Sequence, residues 1–390
     1  MKILHVIPSL NKGGAERLAV NISTELGHRP GVDIKLVTFR KDNAYLGLIG
    51  DVDAQTIPAF VIPSLTGKGR VDVHSWIRLL DEFKPDVIHS HLFESEMVTR
   101  YTLRPGTVYV THCHDNMAQL KSFSCNTLFN KTALTNFYER RLILKQYEKC
   151  NNHFVAISKD NFDFIRSVLP DSLKQNVLLM HNAIHFKKFN VADRERNRAE
   201  IRMVNTGRFV SWKNQIFLVE ILKLLRDRGV IATITFLGDG AELALVKAKV
   251  IEYGLQNQIE FTGNVEHVEA YLRNANLYVH TAYIEPFGLA LVEAMAAGLP
   301  VIALDGGGNR DLIQEGVNGY CIKKQEADLF ADKIIGLMRN ETLYHTMSRN
   351  AVAFAKGFDM PAYVDRLLEM YQQWVRENNQ SIKADSTKAG

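Results

Sequence analysis

Short apolar runs alternate along this chain with longer stretches in which apolar residues recur at every third or fourth position. The runs over 2–8, 32–39, 52–62, 85–91, 107–110, 154–158 and 177–180 predict strands, and their near-continuous hydrophobicity suits strands covered on both faces. Segments 17–26, 71–83 and 135–147 have helical spacing. In 71–83, Val71, Trp76, Leu79, Leu80 and Phe83 fall on one face. Residues 41–50 read as a polar loop. Over 186–200 the pattern breaks into a charged, irregular stretch with Arg194, Arg196 and Arg198, and a hinge is expected there. The alternation then restarts. Strands are predicted over 201–206, 232–237, 259–262, 277–280 and 299–304, and helices over 214–226, 241–253, 268–273 and 289–297. Residues 318–320 read as a turn. Three helices follow, over 328–338, 343–354 and 360–377, before a polar, flexible tail over 379–390. Strands alternating with helices predict parallel sheets with helices on both faces. The fold class is therefore α/β, with two doubly wound, Rossmann-like domains over 1–186 and 187–357.

A length of 390 residues agrees with two cores rather than one. The content of 46% hydrophobic and 23% charged residues is that of a soluble globular protein. No run of about 18 apolar residues occurs, so no membrane span is expected. His5, Pro8, Asn11 and Lys12 interrupt any signal-peptide core, and residues 2–8 read instead as the first buried strand. The four cysteines lack metal or redox spacing, which fits a cytoplasmic chain with free thiols. The formal charge of +4 comes without a nucleic-acid motif, so no nucleic-acid partner is expected. It is compatible with resting on an anionic membrane face. The basic residues Arg140, Arg141 and Lys145 on helix 135–147, with Lys149 just after it, read as a solvated face, or as a contact for lipid phosphate.

The chemistry concentrates at strand ends. The stretch 281–300, TAYIEPFGLALVEAMAAGLP, places Glu285 in a loop and Glu293 about a turn inside the following helix, which Gly298 and Pro300 stop. The helix start at Gly288 presents unpaired amides and a positive dipole end, suited to an anion. Two carboxylates beside an anion site suit a ligand with a phosphate part and a polyol part. Arg208 and Lys213 lie five apart on a turn after a strand, where a guanidinium and an ammonium suit a diphosphate. In the first half, Gly13 and Gly14 follow the first strand and let a backbone approach a ligand. The pattern is not GxGxxG, so a nicotinamide cofactor is disfavoured. His89, His91, His112, His114 and Asp115 also sit at strand ends. As isolated features, paired strand-end histidines are more often packing residues than ligands, and zinc is disfavoured because no cysteine or carboxylate partner has closed-site spacing.

The segment Glu285-Pro-Phe-Gly-Leu-Ala-Leu-Val-Glu293, followed by Ala-Met-Ala-Ala-Gly-Leu-Pro, resembles the E-x7-E signature of the retaining glycosyltransferases of family 4, which have the GT-B fold. The GGAE turn at Gly13 to Glu16, the DVIHSH segment ending at His91 and the G-R-x4-K spacing of Arg208 and Lys213 are similar to further motifs of that family. The resemblance implies two domains facing across a cleft, with a last helix over 358–378 completing the first. It implies a nucleoside-diphosphate sugar as donor, best taken as a UDP-sugar, without a cofactor or metal. It further implies that Glu285 holds the sugar, Glu293 the ribose, and Arg208 and Lys213 the diphosphate. Gly13, Gly14, Phe287, Gly288 and Leu289 would lie around the donor, with backbone at Gly238 and Asn264 around the base. His114 would lie beside the transferred sugar, with His112 as the rival for that place. His89, His91, His112 and Asp115 would face the acceptor. Gly306 to Arg310 departs from the commoner family form. The implied acceptor is a glycan or lipid-linked oligosaccharide of bacterial surface polysaccharide, at the inner face of the membrane. A sugar-nucleotide epimerase or hydrolase, a phosphorylase-like enzyme and a non-catalytic sugar-nucleotide-binding subunit are the competing readings.

Overall fold

The computed structural model describes residues 1–57, 74–121, 130–190 and 200–388. The chain divides into two compact units, Met1–His181 with Met360–Gly390, and Asn182–Asp359. The second unit begins a few residues before the charged stretch because residues 184–186 are bonded to the end of the same unit. The Ile184 N–H donates to the Phe358 carbonyl at 2.9 Å, and the Phe186 N–H donates to Asp359 Oδ1 at 3.1 Å.

The first unit holds strands β1 (Lys2–Val6), β2 (Asp33–Thr38), β3 (Asp53–Thr56), β4 (Val87–His91), β5 (Val108–Cys113), β6 (His153–Ala156) and β7 (Val177–Leu179). They form one sheet in the order β3-β2-β1-β4-β5-β6-β7, and each pairing is parallel. The second unit holds β8 (Ile201–Thr206), β9 (Ala232–Leu237), β10 (Ile259–Gly263), β11 (Leu277–His280), β12 (Val301–Leu304) and β13 (Gly319–Ile322). Their order is β10-β9-β8-β11-β12-β13, again parallel throughout. Both sheets are doubly wound, as the alternation predicts. Strand order reverses between β1 and β4 in one and between β8 and β11 in the other. Outside the carboxyl ends of strands at such reversals, loops splay apart and leave room for a ligand. Helices cover the faces, and strands such as β4 and β11 are buried along their whole length.

Several boundaries differ from the pattern. β5 runs on to Cys113, so His112 lies within the strand and His114 just beyond it. The polar stretch after β2 contains a short helix, Leu46–Ile49, and Phe93–Thr99 forms a helix that its polar sequence conceals. The expected turn at Asn318 to Tyr320 opens β13. Gly319 lies so close to β12 that a Cβ there would sit 2.3 Å from the Val301 carbonyl oxygen. The last helix, Met360–Lys388, continues past residue 377, because no proline or glycine interrupts the polar residues there. The far part of the strand expected over 52–62, Val71 of helix 71–83, and Arg194, Arg196 and Arg198 lie outside the described residues.

Candidate active site

In the second unit the turns after β8, β9 and β10 are stitched together by backbone. The Gly207 N–H donates to the Leu237 carbonyl at 2.9 Å, the Gly238 N–H to Gly263 at 2.8 Å, and the Phe209 N–H to Asp239 at 2.9 Å. Glycine is required at 238, where φ is +137° and a Cβ would stand 2.1 Å from the Gly207 carbonyl oxygen. Arg208, Gly238 and the exposed Asn264 therefore share one rim. Arg208 is exposed and, among the described residues, its guanidinium has no hydrogen bond or ion pair. Gln215 Nε2 donates to its carbonyl at 2.9 Å and holds the turn in place.

Lys213 ends a single 3₁₀ turn, Ser211–Lys213, which is tied to the loop after β11. Thr281 Oγ1 donates to the carbonyls of Lys213 and Asn214, at 3.3 and 2.9 Å, and the Tyr283 N–H donates to the Trp212 carbonyl at 3.0 Å. These bonds set Lys213 Nζ 2.5 Å from Glu285 Oε2. His280, the last residue of β11, places Nε2 2.9 Å from the same oxygen. Glu285 Oε1 has no bond from a described residue. Burial opposes the charge of Glu285, but Lys213 and His280 together more than offset it and hold the carboxyl down at about 2. Burial holds the His280 imidazole below its ordinary range despite its acidic neighbour.

The Glu285 loop is fastened to the glycine run after β12. The Glu285 N–H donates to Gly306 at 2.7 Å, and the Gly308 N–H donates to the Glu285 carbonyl at 2.9 Å. A Cβ on Gly308 would lie 1.9 Å from the Pro286 carbonyl oxygen, so these glycines serve close approach of two backbones. Gly288, at φ +104°, starts the helix Leu289–Ala296. Glu293 is buried on that helix, 5% exposed. Phe287 is buried as well, with its ring centroid 6.1 Å from that of Phe358, so it packs rather than offering its ring to a ligand.

In the first unit the outcome is different. Gly13 precedes the helix Gly14–Gly27, but the hydroxyl of Tyr45 accepts from its N–H and donates to its carbonyl, both at 2.9 Å. The Gly13 amide expected to meet a donor is already engaged. His89 and His91, expected at the acceptor side, are fully buried. His5 and His89 are register partners on β1 and β4, and His91 and His112 on β4 and β5. With His114 they form a block of five rings; His89 stacks on His91 with centroids 4.6 Å apart, and His112 on His114 at 4.4 Å. Tyr371 of the last helix hydrogen-bonds His89 Nδ1 and closes the block from below. Burial first, and mutual repulsion second, keep His89, His91 and His114 well below the ordinary imidazole range, so the rings are neutral at pH 7. His114 is half-buried at the open end, and Asp115 is exposed beside it.

On the other face of the sheet, where Ser90 and Thr111 point, lies a fully buried ion pair, Glu96 with Arg100, 3.2 Å apart. Arg100 also donates to Thr99 Oγ1 and Asn152 Oδ1, each at 2.6 Å, and to Ser90 Oγ. Thr111 Oγ1 donates to Glu96 Oε2 at 2.6 Å. Burial pushes the Glu96 carboxyl up to about 7 against the pull of Arg100.

A family profile described as Glycosyltransferase Family 4 matches residues 12–185, and one described as Glycosyl transferases group 1 matches residues 186–354. The chain belongs to the family 4 glycosyltransferases. It is 28% identical over 183 residues to the poly(glycerol-phosphate) alpha-glucosyltransferase of Bacillus subtilis, a match covering 47% of this chain and 26% of that protein. It is 23% identical over 402 residues to the UDP-Gal:alpha-D-GlcNAc-diphosphoundecaprenol alpha-1,3-galactosyltransferase of Escherichia coli, covering 95% and 96%. The crystal structure of Anabaena Alr3699/HepE in complex with UDP-glucose superposes with a TM-score of 0.76 at 22% identity, covering 96% of this chain and 100% of that one. That likeness assigns the GT-B fold.

In this family 4 chain, the motifs point to the acids and cations of the second unit but not to the residues that the structure packs around them. His280 gave no signal beyond its place at a strand end. His5 and Tyr371 are invisible to local pattern, because a parallel sheet and a distant helix bring them to His89. The spacing of Glu96 and Arg100, one helical turn apart, was the available clue to the buried pair.

Proposed function

We propose that the chain transfers a hexose or N-acetylhexosamine, with retention at the anomeric carbon, from a UDP-sugar to a glycan or lipid-linked oligosaccharide of bacterial surface polysaccharide. The observation that carries the donor reading is the Lys213–Glu285 pair at the strand-order reversal of the second unit. Arg208, Lys213 and the amides at the start of helix Leu289–Ala296 would stabilise charge on the departing diphosphate, a role that needs no divalent ion. Glu285 would accept hydrogen bonds from sugar hydroxyls through the oxygen left open, and Glu293 from the ribose. His114 would contact the sugar in transfer. The bond from the anomeric carbon to the diphosphate oxygen breaks, the bond to the acceptor oxygen forms on the same face, and the diphosphate oxygen takes the acceptor proton. The E. coli relative's name, with its UDP-sugar and diphosphoundecaprenol-linked acceptor, supports this choice of substrates.

The test is a thermal-shift series with UDP, GDP and ADP on wild type and on Lys213→Ala. A ligand bound only by the native state raises stability by about 2.7 kcal/mol at a hundredfold excess over Kd. A rise with UDP that is lost in Lys213→Ala is expected. No rise with any nucleotide would overturn the donor reading.

A further inference from the structure

The histidine block is larger than sugar transfer needs. We propose that His91, His112 and His114 form a binding site for a divalent transition-metal ion, with zinc as the best-suited metal.

The three rings come from adjacent parallel strands. His91 and His112 are register partners, and His114 follows two residues later. Their metal-capable nitrogens all lie within 4.8 Å of one another, and His91 Nδ1 is 2.9 Å from His114 Nε2. Zinc–imidazole bonds of about 2.0–2.1 Å in a tetrahedral site place ligand nitrogens roughly 3.3 Å apart. His112 and His114 stack at an interplanar angle of 9°, so binding requires these rings to tilt until their in-plane lone pairs converge on the ion. A neutral imidazole has one N–H and one lone pair, so the single contact between His91 and His114 leaves the buried Nε2 of His91 unpartnered in either tautomer. A buried, unsatisfied nitrogen is costly in a folded protein, and a cation taken by His91 through that Nε2 would give it a partner.

The donor set decides the class of ion. Imidazole nitrogens suit zinc, copper or nickel, whereas magnesium and calcium require oxygen ligands. Imidazole binds metal in its neutral form, so acid should release the ion. His89, stacked on His91 and anchored by Tyr371, would orient the ligand ring from behind. The half-buried side of His114 leaves a fourth position for water or substrate. A second triad, His5, His89 and His91, is also close enough. Both nitrogens of His5 are already engaged there, by Ser23 Oγ at 3.0 Å and the Tyr371 hydroxyl at 3.3 Å, so that triad is not chosen. On the reading of His114 as a sugar contact, an occupied site withdraws that ring and inhibits transfer.

Tag-free full-length protein, dialysed against chelator, is titrated with Co²⁺ and followed by visible absorption. One equivalent should give the intense spectrum of four-coordinate cobalt, and Zn²⁺ should displace it and raise the melting temperature. His114→Asn, chosen because this ring is only half-buried, should weaken binding at least tenfold, as should His112→Asn. His345→Asn, an exposed histidine far along the chain, should leave it unchanged. An absent or octahedral cobalt spectrum in wild type would overturn the site. So would a spectrum that survives in folded His114→Asn, or one lost in His345→Asn. This readout is independent of donor, acceptor and activity, so it stands or falls apart from the transferase reading.

Discussion

Lys213 Nζ lies 2.5 Å from Glu285 Oε2, although 72 positions separate the two residues, and the contact joins the loop after β8 to the loop after β11. The pair spans the one place in this sheet where neighbouring strands lead away in opposite directions. Glu285→Gln should keep UDP binding and lower kcat by about 10²–10³, the cost typical of removing one preorganised electrostatic group. Steady-state kinetics on wild type and variant check this, and an unchanged kcat would remove Glu285 from the reaction.

The same carboxylate makes stability depend on acid. Glu285 ionises in the fold down to about pH 2, against 4.5 for the free side chain. Its contribution is complete above pH 4.5 and disappears as the pH falls through 2, on the order of 3 kcal/mol. Urea titrations at pH 5 and pH 3 should show wild type losing more stability than Glu285→Gln. Equal losses would mean that the pair is not formed in solution.

Glu96 should act in the opposite direction. Its folded carboxyl is raised to about 7 from 4.5, so its favourable contribution is present below pH 4.5 and is lost as the pH rises through 7. Wild type should weaken between pH 5 and pH 8, and Glu96→Gln should flatten that slope. Arg100→Ala, which strands the carboxylate, should cost about 3–5 kcal/mol. A slope identical in wild type and Glu96→Gln would show that the carboxyl is ionised throughout.

Two glycines make a matched comparison. Gly308→Ala forces a methyl to within 1.9 Å of the Pro286 carbonyl oxygen and should destabilise by about 1–3 kcal/mol or more, disturbing the Glu285 loop with it. Gly336→Ala, inside the helix Ala327–Arg339, meets nothing within 4 Å and should stabilise by about 0.5–1 kcal/mol. Chemical denaturation of the two variants distinguishes them, and similar effects would discount the close approach.

His114→Ala should leave the UDP thermal shift intact and lower kcat by about a hundredfold, as loss of a group acting only in transfer would. A loss of nucleotide binding instead would place the residue at the donor.

Much of the fold is legible because both sheets are parallel and their central strands, such as β4, β11 and β12, are buried and therefore appear as apolar runs. β13 was not, since Gly319 and Tyr320 read as a turn, and its strand identity comes from pairing with β12. The pattern ends β5 too early because Thr111 and His112 are polar residues that nevertheless lie fully buried in the sheet. In the site, Arg208, Lys213, Glu285 and Gly288 were legible from their positions after strands. The Tyr371 contact of His89 and the Tyr45 contacts of Gly13 come from distant segments, which local spacing does not reveal.

Local chemistry therefore determined the two doubly wound sheets, the E-x7-E segment and the cations that accompany it, because hydrophobic period and turn residues act over a few positions. Tertiary structure alone decided that five histidines share one block, that a buried Glu96–Arg100 pair lies on the other face of that sheet, and that His280 and Lys213 converge on one oxygen of Glu285. Those relationships depend on strand order and register, which set contacts between residues far apart in the chain and leave no periodic trace within any one segment.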